Sequence, residues 1–128
     1  MSKQIFFSHT WRPDALGRDN HKRVRALVRE TQFLGYTTWF DEDDMKGDIS
    51  ASMAQGIDEA EAVIVCLTES YAKKVNDAAR ASRNRDNCLL EFAYANNQGK
   101  LIIPVILEPQ MLDPNGWPPG VVSFHMCG

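Results

Sequence analysis

Four short apolar runs are spaced along the chain, each bounded by residues that favour turns or helix caps. They are Gln4–Ser8, Tyr36–Phe40, Ala62–Leu67 and Leu101–Leu107. The third (Ala-Val-Ile-Val-Cys-Leu) and the fourth (Leu-Ile-Ile-Pro-Val-Ile-Leu) are almost unbroken in apolar residues. That is the pattern of strands covered on both faces, as in a parallel sheet. Pro104 has no N–H to give a ladder, which places the fourth strand at a bulge or near an edge.

Between the runs the period changes to that of a helix. From His21 to Leu34, Val24, Leu27, Val28 and Leu34 form one stripe, filled in by Thr31, with Arg and Lys opposite and Gly35 as a fitting stop. Ser50 is placed to cap a shorter helix that buries Met53, Ala54 and Ile57. Asp86 or Asn87 is placed to cap another, carrying Leu89, Leu90, Ala93 and Tyr94 and ended by Gly99. The polar, basic segment Asn76–Asn87 shows no apolar stripe and is expected to be a long mobile loop. Strands and helices thus alternate, as in βαβ units with right-handed crossovers. After Leu107 come Pro109, Pro114, Pro118 and Pro119, then a short apolar stretch, Val121–Met126. A fifth strand and a closing helix, usual in such a sheet, are not evident. The expectation is one domain over residues 1–128, truncated or irregular at its C-terminal end.

At 128 residues the chain is the size of one domain with one core. A net charge of -3 draws it neither to nucleic acid nor to an anionic membrane surface, so neither partner is expected. No apolar run is long enough to cross a bilayer, and the first residues carry no secretory leader. Cys66, Cys88 and Cys127 are odd in number and widely spaced, which suits free thiols and a cytoplasmic location.

In open parallel sheets, ligands collect outside the carboxyl ends of the strands. No G-x-G-x-x-G follows the first strand and no P-loop is present. The strand ends Ser8-His9-Thr10 and Leu67-Thr68-Glu69 lack the acidic residues of a phosphoacceptor domain. They match something else. Ile5-Phe6-Phe7-Ser8-His9-Thr10 resembles the first box of Toll/interleukin-1 receptor (TIR) domains. Thr38-Trp39-Phe40-Asp41, with Met45, Gly47, Ile49 and Ile57 after it, resembles the second box and its loop. Ala62–Leu67 with Ser70 and Tyr71 resembles the third strand and the next helix, Cys88-Leu89-Leu90-Glu91 the Cys-x-x-Glu segment, and Ile102-Ile103-Pro104-Val105 the fourth strand. The resemblance runs from about residue 4 to about 107.

It implies an α/β, flavodoxin-like fold: an open parallel sheet of strand order 2-1-3-4-5 with helices on both faces, the last strand and helix being in doubt here. It implies either of two functions. One is NAD glycohydrolysis, releasing nicotinamide and either ADP-ribose or a cyclised form, with NAD+ as substrate and no cofactor. The other is a signalling adaptor without activity, acting by homotypic association with other TIR domains. In the enzymes the glutamate of Cys-x-x-Glu is catalytic, which points to Glu91. The plainer alternative is a first-turn glutamate favoured by the helix dipole. The resemblance also makes His9, Thr10, Trp11, Asp41, Gly47, Ile49, Ser70, Tyr71 and Asn87 candidates for lining a substrate site. Many NAD-cleaving relatives carry tryptophan where Asn87 stands, so Trp11 or Trp39 would have to supply a stacking surface, with Trp39 better suited to the core. Asp41–Asp44 lacks calcium-loop spacing. His21 and His125 show no ligand spacing with the cysteines, so no metal is expected and both histidines read as structural. Cys88 has no evident activating base and is expected to be buried.

Overall fold

The computed structural model describes residues 4–40, 49–80, 87–120 and 122. Along the chain run β1 (Ile5–Ser8), α1 (Asn20–Phe33), β2 (Thr38–Trp39), α2 (Ile49–Glu59), β3 (Ala62–Leu67), α3 (Glu69–Arg80), α4 (Asn87–Asn97) and β4 (Leu101–Ile106). The strands form one parallel sheet in the order β2-β1-β3-β4. That is the expected α/β architecture without a fifth strand among the described residues.

Alternation along β1 builds a core on each face of the sheet. Phe6 points to the side that carries Trp39, Val63 and Val65 and packs against α2, α3 and α4 through Ile57, Tyr71, Val75 and Phe92. Phe7 points to the other side, where Val24 and Val28 of α1 meet Phe40 and Cys66. Burying each such side chain is worth about 1.5–3 kcal/mol, enough to settle which face a helix presents. Asp19 caps α1, its carboxylate accepting from the Lys22 N–H, and Gly35 ends it with φ 102°. Trp39 stacks on Phe6 with ring centroids 4.4 Å apart. Its other neighbour is Gly56, where a Cβ would sit 2.6 Å from the indole, so only glycine lets α2 approach this closely.

Several expectations need correction. The stretch Asn76–Arg80 is not loop but the second half of α3: Tyr71, Ala72, Val75 and Ala78 make its buried stripe, and the polar Asn76 is buried among them. Residues 81–86 of that expected loop lie outside the described residues. Ser50 lies inside α2, and Ile49 is helical, so neither is a cap or a loop residue. Leu34 is exposed beyond the end of α1. Among the described residues β4 is an edge strand, as Pro104 suggested, but it is not covered on both faces: Leu101 and Ile103 are exposed because α1 does not reach that far across the sheet. After β4, two short 3-10 turns, Pro109–Met111 and Pro114–Gly116, lead into a strap that buries Met111, Trp117 and Val122 in the core. Asn76 holds the strap: its Nδ2 donates to the Pro118 and Pro119 carbonyls at 3.3 Å, and its Oδ1 accepts from the Val122 N–H at 3.4 Å. No described helix is long and apolar enough to cross a membrane.

Candidate active site

The chain leaves β1 for β2 on one side and reaches β3 on the other, so the strand order switches between β1 and β3. Crevices open at such switch points, outside the carboxyl ends of the strands. Ser8, the last residue of β1, lies there, on the face shared with α3 and α4. Its Oγ donates to Glu91 Oε1 at 2.6 Å and lies 2.8 Å from the Tyr71 hydroxyl. A serine has one hydrogen to give, so with that hydrogen on Glu91 the Tyr71 O–H donates to Ser8. The relay therefore points from Tyr71 through Ser8 to the carboxylate. Ser8 and Tyr71 are fully buried and Glu91 is 5% exposed.

Glu91 is the fifth residue of α4, one turn in from its start, so the helix-dipole account of a first-turn glutamate does not apply. Cys88, three residues earlier, donates its thiol to the His9 carbonyl at 3.6 Å and ties the first turn of α4 to the segment leaving β1. Burial, and then the charge of Glu91, push the Cys66 thiol up to about 12. Burial, with Cys88 and Glu91 behind it, likewise pushes Tyr71 well above its ordinary range, opposed by the hydrogen bond to Ser8. Both shifts keep Cys66 and Tyr71 protonated beside Glu91.

His9, Thr10 and Trp11 turn the other way. His9 Nε2 lies 2.7 Å from Nδ1 of His21 on α1, and both rings are buried. Trp11, 58% exposed, stacks on His21 with centroids 3.4 Å apart and 13° between the planes, and the Phe40 ring lies 5.2 Å from the same imidazole at 17°. Thr10 is fully buried; its carbonyl accepts from Asn20 Nδ2 at 2.8 Å and its Oγ1 from the Arg12 N–H. The structure therefore brings Glu91, Tyr71 and Ser8 together, and sets His9 and Trp11 against α1. Ser70 is half-buried at the second position of α3, whose first turn is capped by the Thr68 hydroxyl. Asp41 and Gly47 lie outside the described residues, and of Ile49 and Asn87 only the helical position is described.

Two carboxylates hold the loops that follow β1 and β3. Asp14 accepts from the Leu16 and Arg18 N–H groups, from Arg18 Nε at 2.6 Å and from Arg23 Nη1 at 2.7 Å. Burial works to raise its pKa, but these hydrogen bonds and the Arg18 charge outweigh it and hold the carboxyl below its usual range. Glu108, just past β4, is buried and bridges two loops: Oε2 accepts from the Ala15 N–H and Oε1 from the Glu69 N–H at the start of α3, both at 2.7 Å. Between those loops lies a cleft of about 280 Å³ lined by Arg12, Asp14, Ser70 and Lys73 among others. Of the residues singled out from the sequence, Ser70 lines it and Glu91 does not. Among the described residues, no three or more His, Cys, Asp or Glu side chains converge as metal ligands would.

Sequence reasoning missed Ser8 as the partner of Glu91, read His21 as structural without its link to His9, and did not single out Glu108. The serine had been visible as the end of a strand entering a functional mouth. The other two contacts join residues 12 and 39 or more positions apart, and no local pattern reports them. The family model described as "TIR domain" matches residues 5–126 of the chain. No curated protein matches it.

Proposed function

The chain belongs to the TIR domain family, and from that premise we propose that it cleaves NAD+ between nicotinamide and ribose, with Glu91 as the reacting carboxylate. The observation that carries this reading is the buried Glu91 at the switch point of the sheet, held at 2.6 Å by Ser8. Nicotinamide departs neutral from a cationic ring, so the reaction needs no acid to protonate the leaving group. It needs a partner for the positive charge that builds on the ribosyl carbon. A carboxylate does this, and it does so more strongly in a site shielded from water. The same group can hold a ribose hydroxyl or orient the attacking water. Ser8 and Tyr71 restrict which way the carboxylate faces, so its orientation is set before substrate arrives. Tyr71 stands with Ser8 on the side of Glu91, and the His9 carbonyl meets Cys88 one turn before it. Water as acceptor gives ADP-ribose, and an acceptor within the substrate gives a cyclised product.

The test is nicotinamide release from NAD+ by the concentrated domain, beside Glu91→Ala and Glu91→Gln. Release that both substitutions abolish while the fold is retained supports the enzyme; no release from the unaltered domain refutes it. A second reading, an adaptor that acts by homotypic TIR association, is favoured by the near-complete enclosure of Glu91 among internal partners. TIR domains bind one another as a family. Light scattering over a concentration series tests self-association, and a monomer throughout would count against it.

A further inference from the structure

The proposed chemistry makes no use of the His9–His21 pair, yet that pair ties the segment leaving β1 to α1. We propose that His21 is a positioning residue for the Glu91 carboxylate, acting through His9 and Ser8. The inference rests on Glu91 as the reacting group.

His9 is attached in three directions. Its side chain meets His21 on α1 at 2.7 Å. Its carbonyl accepts the thiol of Cys88, one turn ahead of Glu91 on α4. Its chain neighbour Ser8 donates to Glu91 itself at 2.6 Å. The His9 backbone cannot rotate without disturbing both links to α4, and the bond to His21 is what resists rotation from the side of α1.

His21 is suited to that role. It shares a stripe with the buried Val24 and Val28, which lock α1 onto the sheet, and Asp19 caps the helix just before it. Its imidazole packs nearly parallel to two aromatic rings, Trp11 at 3.4 Å and Phe40 at 5.2 Å, inclined by 13° and 17°. A ring packed this way has little room to tilt, so its Nδ1 is a fixed point. The bond to His9 needs one N–H and one lone pair, and so also fixes the tautomers of both rings relative to one another. The neighbouring Asn20 holds the Thr10 carbonyl at 2.8 Å, so the first turn of α1 grips this segment at two successive residues.

Two substitutions separate the bond from the packing. His21→Phe keeps a ring against Trp11 and Phe40 and removes the hydrogen bond. His21→Asn gives up the ring but leaves an amide near the place of Nδ1. Two readouts are taken: nicotinamide release, and the carboxyl 13C resonance of Glu91, assigned by its absence in Glu91→Gln. For His21→Phe the expected result is a kcat lowered about tenfold with KM within about twofold, and a shifted Glu91 resonance. For His21→Asn both are expected to return towards the unaltered protein. A His21→Phe protein with unchanged kcat and unchanged Glu91 resonance overturns the proposal. If the unaltered domain releases no nicotinamide, the NAD reading falls, and the Glu91 resonance alone decides whether His21 positions that carboxylate. Should His21→Phe not fold, the unaltered protein decides: with three histidines in the chain, a 15N–15N coupling across the shared proton can be assigned, and its absence overturns the proposal.

Discussion

Ser8→Ala isolates the hydrogen bond on which the reading of Glu91 turns. The hydroxyl lies 2.6 Å from Glu91 Oε1 and 2.8 Å from the Tyr71 oxygen, with all three residues buried. Its removal takes away a hydrogen bond worth about 1.5–3 kcal/mol when Glu91 is the carboxylate that the proposed reaction requires, and can strand the Tyr71 hydroxyl at a cost of about 1–3 kcal/mol. Alanine fits the site and leaves a gap of one oxygen, so packing adds little. The Tyr71 hydroxyl can recover part of the loss by turning onto the carboxylate, which leaves a net destabilisation of about 2–4 kcal/mol. For a chain of 128 residues that lowers Tm by roughly 10 °C. The assay is urea unfolding beside nicotinamide release. Release is expected to fall about 100-fold, since a carboxylate displaced by a fraction of an ångström loses its contact in the transition state. Tyr71→Phe, which removes only the outer link, should cost about 1 kcal/mol and spare most of the activity. A Ser8→Ala protein destabilised by less than about 0.5 kcal/mol, with turnover unchanged, would refute the reasoning.

Stability should decline in alkali. Burial and the Glu91 charge push Cys66 from 9.0 to about 12, and Tyr71 is raised well above 10.0, so the folded chain keeps protons that the unfolded chain releases. The contribution is complete below about pH 9 and lost as pH rises from there, at about 1.4 kcal/mol per unit for each such group; urea midpoints level from about pH 8 to about pH 10.5 would contradict it. Gly56→Ala should cost about 1–3 kcal/mol by forcing a methyl against the Trp39 indole, which the stack on Phe6 keeps from yielding, and a Tm unchanged by the methyl would show that the indole moves. Asn76→Ala should loosen the strap, lowering stability by about 1–3 kcal/mol and exposing residues 117–120 to limited proteolysis; resistance equal to that of the unaltered protein would mean that Trp117 and Val122 hold it alone.

The elements most legible in the sequence were those whose pattern is local. Ala62–Leu67 is an unbroken apolar run and is the strand β3 to the residue, and Gly35 ends α1 because only a glycine takes φ 102° without strain. Where legibility failed, a distant partner had changed the meaning of a residue. Asn76 made its segment look like loop, yet it lies on the buried stripe of α3 because the strap, over 40 residues later, occupies its amide. The apolar run of β4 suggested two covered faces, but covering depends on which helix arrives, and α1 stops short of Leu101 and Ile103. The site divides in the same way. Glu91 was singled out through its motif; its partner Ser8 lies 83 positions earlier, and the contact of His9 with α1 falls on a residue read as merely structural.

Glu108 gives the cleft between the Ala15 and Glu69 loops a property that none of its lining residues could supply. A carboxylate is a flat, rigid group, and its two oxygens are shared between the Ala15 N–H on one rim and the Glu69 N–H on the other. The gap between the rims is thus gauged by the width of a single functional group, and a shift in either loop is handed to the other through it. Glutamine, nearly identical in shape, would break the gauge. One of its two terminal atoms is a donor, and either way round that donor would face a backbone N–H. The smallest change available at this position would therefore part the rims on one side while leaving the sheet beneath them intact.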